Sequence, residues 1–302
     1  MYNGILLLNK EPGFTSHDAV AKLRGILRFR RIGHAGTLDP MAQGLLVMLL
    51  GKATRASEYA SGAEKEYIAD FILGVETDTQ DTTGNVLAEA PVDVTESQLR
   101  QALSSFEGGY DQVPPMYSAI QKDGVRLYDL ARKGKEVERE SRFIALPLLE
   151  LLSFDPPRGK LRVRCSKGTY IRTLCHDLGQ RLGCGGAMSA LTRVQAGDFS
   201  LEDALTLGEV EQLVKEGTLQ QHILPVDRLF ASLPAVTLTE EGAKRARNGA
   251  HAAQKHLLSG AIPPVDSLCR VYTPEGEFLM TGKGGLLDMG PPAIFCHKIF
   301  GE

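Results

Sequence analysis

The hydrophobic pattern along the chain switches between strand-like and helix-like periods, and most elements follow from those switches. The apolar run from Gly4 to Asn9 predicts a short buried strand, closed by the turn residues Lys10-Glu11-Pro12-Gly13-Phe14. From there the period lengthens. Thr15 and Ser16, with Asp18 in the first turn, start a helix whose apolar face is Val20, Leu23, Ile26 and Leu27, leaving Lys22, Arg24, Arg28 and Arg31 towards solvent or a ligand. Leu45 to Leu50 predicts an interior strand, and Glu64 to Gly74 another with Tyr67 near its beginning. Residues 75–96, rich in Asp, Thr and Gly, read as a long exposed loop, and Thr95 to Phe106 as a short amphipathic helix. A loosely tied insertion with Tyr117, Tyr128 and charges of both signs occupies about 110–142.

Gly159 to Gly168 alternates cleanly, with Leu161, Val163 and Cys165 on one side and Arg162, Arg164 and Ser166 on the other. Thr169 then opens a helix with the stripe Ile171, Leu174, Leu178 and Leu182, ending at Gly183. Arg172 falls in its first turn, where the helix dipole disfavours a cation by a few tenths of a kcal/mol, up to about 1. Either a carboxylate or phosphate meets it there, or the small penalty is tolerated. A polar helix spans Thr206 to Gly217. Beyond Leu233 a short helix carries Lys244, Arg245 and Arg247, and Arg270 to Leu279 forms a hairpin, so a small, mostly β module is expected.

Between two apolar segments lies Gly33-His34-Ala35-Gly36-Thr37-Leu38-Asp39-Pro40-Met41-Ala42-Gln43-Gly44. Gly33, Gly36 and Gly44 allow positive φ and close backbone approach, and Pro40 pushes Asp39 towards an extended conformation, so one carboxylate sits on a tightly shaped loop. Taken alone, Asp39-Pro40 also describes the cap of a short helix, and His34 a structural histidine. Gly44 to Ala53 does not make a P-loop, because six residues separate Gly44 from Gly51 and Ala53 stands where the hydroxyl is required.

The 302 residues, 43% hydrophobic and 24% charged, describe a soluble globular protein of one large domain and one small, or of two moderate ones. Five cysteines without a Cys-x-x-Cys pair argue against a disulfide framework or thiolate zinc site and for a cytoplasmic setting, and no signal-like or membrane-spanning run is expected. The net charge of −3 is segregated. Lys22 to Arg31 and Arg158 to Arg172 are basic windows, whereas residues 76–111 are strongly acidic, which suits either a basic face for a phosphate-bearing partner or solvated surfaces. Without metal-ligand spacing or a Gly-x-Ser-x-Gly elbow, the chemistry rests on a carboxylate, an arginine and tyrosines beside basic patches. A carboxylate beside an arginine suits a nucleophile or proton acceptor, tyrosines stack on bases, and arginines hold phosphates. Together they describe a cofactor-free, metal-free reaction on a nucleic acid.

The Gly33 to Pro40 stretch with Gly44, then Lys65-Glu66-Tyr67, then Cys165 to Thr173 with Asp177-Leu178-Gly179, resembles the TruB family of tRNA pseudouridine-55 synthases. Pro115 to Ala119 and Leu127 to Gly134 resemble that family's insertion; Lys10-Glu11-Pro12-Gly13 departs slightly from the usual lysine-proline start. The resemblance covers residues 4–200. It implies an α+β pseudouridine-synthase fold, a central mixed, largely antiparallel sheet with flanking helices over residues 1–230, and a small PUA-like RNA-binding domain over 231–302. It also implies isomerisation of uridine 55 in the tRNA T-loop after base flipping, without cofactor or obligatory protein partner, by a monomer. Asp39 takes the place of the essential aspartate, Tyr67 of the tyrosine packed on the flipped base and a candidate for removing the C5 proton, and Arg172 of the aspartate's partner. His34 would fill the T-loop space left by the base; Tyr170, Lys10 and Leu191 would line the pocket. Lys22, Arg24, Arg28, Arg31 and Arg132 would hold the RNA backbone. The alternatives are an RNA-binding or tRNA-folding protein and a guide-RNA-dependent ribosomal RNA enzyme.

Overall fold

A computed structural model describes residues 2–288 and 290–301. The central sheet contains β1 (Gly4–Lys10), β2 (Ile32–Ala35), β3 (Gln43–Leu50), β4 (Lys65–Leu73), β5 (Leu148–Asp155), β6 (Arg158–Cys165) and β7 (Gly186–Ala196), with a short Phe199–Ser200 strand on β7. Its order is β1-β3-β7-β4-β6-β5, with β2 also on β3. The pairings are antiparallel except that of β3 with β7, which run parallel for only Gln43 with Thr192 and Gly44 with Arg193. The mixed, largely antiparallel sheet expected from the sequence is present.

The long apolar runs of β1 and β3 reflect burial on both faces. Leu6, Leu8, Leu46, Met48 and Leu50 point into one core with Val20, Leu23 and Leu27. Ile5, Leu7, Leu45, Val47 and Leu49 point into a second core with Phe199, Val226 and Phe230. Because β1 occupies one edge of β3 from Gly44 to Leu50, the other edge is divided: Val47–Leu50 pairs with β2, and Gln43 and Gly44 with β7. The loop from Gly36 to Ala42 leaves the sheet at this division.

The helices are α1 (Ser16–Leu27), α2 (Ser57–Gly62), α3 (Glu96–Ser104), α4 (Leu127–Ala131), α5 (Ile171–Leu182), α6 (Leu207–Glu216) and α7 (Glu240–Arg247). Thr15 with Asp18, Thr95 with Gln98 and Thr206 with Glu209 form capping boxes at the starts of α1, α3 and α6. Gly183 and Gly217 end α5 and α6 in the left-handed conformation.

Two sequence expectations are corrected. Residues 75–96 are not simply an exposed loop: Val75–Thr77 and Val86–Glu89 pair as a hairpin. Its turn is folded inwards by Asp81, which accepts from the Thr79 hydroxyl and the Thr83 amide and hydroxyl, and Thr82 N donates to the Met188 carbonyl. Turn-rich composition concealed that local network. Gly33 has no positive φ and lies within β2; only Gly36 and Gly44 of the three take φ values of +83° and +99°.

A six-stranded sheet built from segments between Ala235 and Ile299 has its own core of Val236, Leu238, Val271, Met280 and Ile294. It meets the rest of the chain through Phe230, whose ring packs against Tyr59, Phe278 and Phe300.

Candidate active site

Cross-strand pairing puts the chemistry on one face of the sheet. Tyr67 on β4 lies opposite Val163 on β6 and Arg193 on β7; Lys65 lies opposite Cys165, and Ala69 opposite Leu161 and Leu191. Residues directly opposite share a face, and positions two apart on a strand share it too. Tyr67, Lys65, Cys165, Leu191 and Arg193 therefore floor a single cavity of about 880 Å³. Its walls are the Gly36–Met41 loop, the start of α5, the Asp81 turn and the insertion residues Tyr117, Tyr128 and Arg132.

The loop keeps its shape through the backbone and two buried side chains. Ser16 Oγ donates to the Leu38 carbonyl and accepts from the Leu38 amide, tying the loop to α1. Asp39 caps no helix: the following residues form a turn in which Ala42 N donates to the Asp39 carbonyl. Gly44 is required by proximity, since a Cβ there would lie 2.4 Å from the Arg193 carbonyl oxygen and 2.9 Å from its nitrogen.

Arg172 is nearly buried and receives a carboxylate from each side. Its Nε lies 2.9 Å from Asp39 Oδ2 and its Nη1 3.5 Å from Asp81 Oδ2. Nη1 and Nη2 donate to the Thr79 and Tyr117 carbonyls, each at 3.0 Å. The Nε–H is not aimed along the Asp39 contact, which is a charge contact rather than a directed hydrogen bond. Asp39 is thus held at the cavity lining by Arg172, and the dipole penalty at the start of α5 is offset by two anions.

The floor is dense in cations. Lys65 donates to the Ser61 and Ala63 carbonyls at 2.6 and 2.5 Å, and burial, with the Arg193 charge, brings its ammonium down to about 8. Burial likewise brings Lys10 down to about 8, against the pull of Asp39. Burial pushes the Tyr67 phenol above its ordinary value, while Arg193, by charge and hydrogen bond, acts the other way.

The predicted site residues separate into groups. Asp39, Tyr67, Arg172, Tyr170, Leu191 and Arg132 line the cavity. Lys10 does not: it is 1% exposed and donates to the Glu11 and Phe14 carbonyls at 3.0 and 2.6 Å, with Pro40 O at 3.4 Å, bracing the loop from behind. His34 lies on β2 away from the cavity lining; burial, then Arg193 and His17, lower its imidazole. Lys22 sits 3.9 Å over the Phe14 ring, Arg24 donates to the Ile32 carbonyl, Arg31 to Thr54, and Arg28 caps α1. These four remain exposed along α1 and its exit, outside the cavity.

Sequence reading assigned no role to Asp81, Lys65 or Arg193. The available signal was period two: Lys65 shares a face with Tyr67, and Arg193 with Leu191.

Residues 24–171 match the family described as TruB family pseudouridylate synthase (N terminal domain), and residues 172–231 the tRNA pseudouridylate synthase B C-terminal domain. The chain belongs to the TruB family of pseudouridine synthases. It is 52% identical over 232 residues to tRNA pseudouridine synthase B of Opitutus terrae, covering 76% of this chain and 96% of that one. The enzyme of the same name from Syntrophotalea carbinolica is 40% identical over 291 residues, covering 95% and 91%. Among solved structures, an H/ACA RNP bound to a substrate RNA containing 2′-deoxyuridine aligns at TM-score 0.75 and 26% identity, over 99% of this chain and 85% of that one. A Cbf5-Nop10-Gar1 complex aligns at 0.75 and 28%, with the same coverage. The TruB isomerase chemistry and the pseudouridine-synthase fold expected from the motifs are those of this chain.

Proposed function

We propose that the chain isomerises uridine 55 in the T-loop of tRNA to pseudouridine, with Asp39 as the essential carboxylate. The observation that carries this reading is the placement of Asp39 at a cavity floored by Tyr67 and held by Arg172. A T-loop uridine leaves its stack at a cost of about a few kcal/mol and enters the cavity. The C1′–N1 bond breaks, the base turns, C5 bonds to C1′, and the C5 proton leaves. Atoms and electrons are conserved within the nucleotide, so the reaction calls for no cofactor. Tyr67 packs on the base and takes the C5 proton; Arg172 fixes Asp39; Tyr170 and Leu191 confine the base; His34 fills the T-loop space it vacates. Lys22, Arg24, Arg28, Arg31 and Arg132 hold the RNA backbone. Residues 1–230 constitute the catalytic domain and 231–302 a PUA-like RNA-binding domain, in a cytoplasmic monomer that needs no protein partner.

The test is tritium release from C5-labelled uridine in an unmodified tRNA transcript. Release by the wild type and none by Asp39→Asn supports the reading; release by neither, with RNA still bound, overturns it. The likeness to the H/ACA assembly raises a guide-dependent alternative, which gains if turnover on an isolated T-arm requires added guide RNA.

A further inference from the structure

Arg193 is a guanidinium placed where solvent barely reaches, at 1% exposure. Its Nε donates to the Leu45 carbonyl at 2.6 Å and its Nη2 to the Gly36 carbonyl at 3.1 Å. Leu45 lies where neither β2 nor β7 pairs with β3, so the side chain supplies a donor that the sheet does not. These bonds engage two of its five N–H groups and leave its charge. Among the described residues no carboxylate forms an ion pair with Arg193. A buried charge without a partner is costly, and a neutral donor could serve two carbonyls more cheaply. Its retention points to an anion that exists only during the reaction. The group opposite Arg193 across the strand pair is Tyr67, and both side chains line the cavity.

We propose that Arg193 is a positioning residue that makes Tyr67 a competent base, holding the phenol on the sheet face and favouring the phenolate that takes the C5 proton. The inference rests on the pseudouridine-forming reading above. In the step, the C5–H bond of the rejoined base breaks and its electron pair becomes the C5=C6 double bond. The C6=N1 pair moves onto N1, which takes a proton from water; the C5 proton passes to the Tyr67 oxygen and then to the hydroxide left behind.

The groups around Tyr67 leave this task to Arg193. Asp39 from the loop disfavours a phenolate, while burial pushes the Cys165 thiol on β6 up to about 11, so it stays neutral at working pH and does not act on the phenol by charge. Arg172 from α5 is committed to Asp39 and Asp81, and Lys65 donates to two carbonyls. Arg193, directly opposite Tyr67 across the strand pair and lining the same cavity, is the cation here that favours the phenol's anion.

The test compares wild type, Arg193→Lys, Arg193→Gln and Tyr67→Phe by single-turnover tritium release across neutral to alkaline pH. In parallel, NMR of 13Cζ-labelled tyrosine follows Tyr67, its resonance identified by loss in Tyr67→Phe. In Arg193→Gln, Tyr67 titrates at least about one unit higher and release at neutral pH falls about tenfold per unit, recovering as pH rises. Arg193→Lys keeps the charge and the wild-type titration. Arg193→Met, of similar length, replaces the Gln variant should circular dichroism show that it does not fold. An unmoved Tyr67 titration, with release reduced evenly at every pH or only KM changed, overturns the proposal and leaves Arg193 a structural residue. No release by wild type overturns the functional reading, and this inference with it.

Discussion

Arg172 is the residue on which the site's electrostatics turn, because one guanidinium meets Asp39, Asp81 and two backbone carbonyls. A lysine offers a point charge and no fork. Arg172→Lys is therefore expected to lower kcat about tenfold or more while tRNA affinity changes little, as single-turnover assays and filter binding would show. Lys10 and Lys65 give a second prediction. Both are near 8 folded against 10.5 free, so between those values the unfolded chain binds more protons and their contribution to stability rises with pH. Below about 8 both are charged in a setting that disfavours charge. Lys10→Met should therefore flatten the rise in unfolding free energy measured from pH 8 to 10.5; an unchanged slope would remove Lys10 as its source. Asp39, Tyr67 and Arg172 were legible because the separate short motifs that carry them, a proline-framed loop, a strand start and a helix start, together resemble one family, although none of the three is decisive alone. Arg193 was not, because its significance lies in an unpaired edge of β3, which exists only once β2 and β7 have both docked.

The element that shapes the site is the incompletely paired edge of β3. Gly44 lets β7 approach there, and a Cβ would strike backbone rather than a pliant side chain. Gly44→Ala is expected to cost about 2–4 kcal/mol in urea unfolding, as strain at positive φ adds to the clash. Gly33→Ala, on an ordinary strand where a Cβ would meet only Thr54 Cγ2 at 3.8 Å, should cost much less. The helix starts were readable because a capping box is complete within four residues. The hairpin at 75–89 was not, because Asp81 draws on Arg172 and its turn on Met188, both far along the chain.

At the scale of the molecule, the basic surface is smaller than the sequence windows suggest. Arg162 and Arg164 both pair with Glu66, and Lys160 with Asp70. Burial alone would raise the Glu66 carboxyl, but the two arginine hydrogen bonds outweigh it and hold it below the ordinary range. Phosphate contacts are then expected from α1 and the insertion more than from β6. Measured tRNA binding should weaken steeply with salt, and Lys22→Ala with Arg28→Ala should reduce the log–log slope by about one for each phosphate no longer neutralised, whereas Arg162→Ala should leave it unchanged. Phe230, packed against three aromatic rings where the two sheets meet, should cost about 3–5 kcal/mol when replaced by alanine, read from denaturant unfolding.

The short pairing of β3 with β7 has a further consequence. Asp39 sits on the short loop entering that seam, pinned by Ser16, Lys10 and Arg172, and Tyr67 faces it from the neighbouring β4, so the distance between the two reacting groups is set by packed elements of the fold, with no hinge between them. Heating cannot loosen the chemistry and spare the fold: the temperature at which turnover fails and the temperature at which the protein melts should coincide.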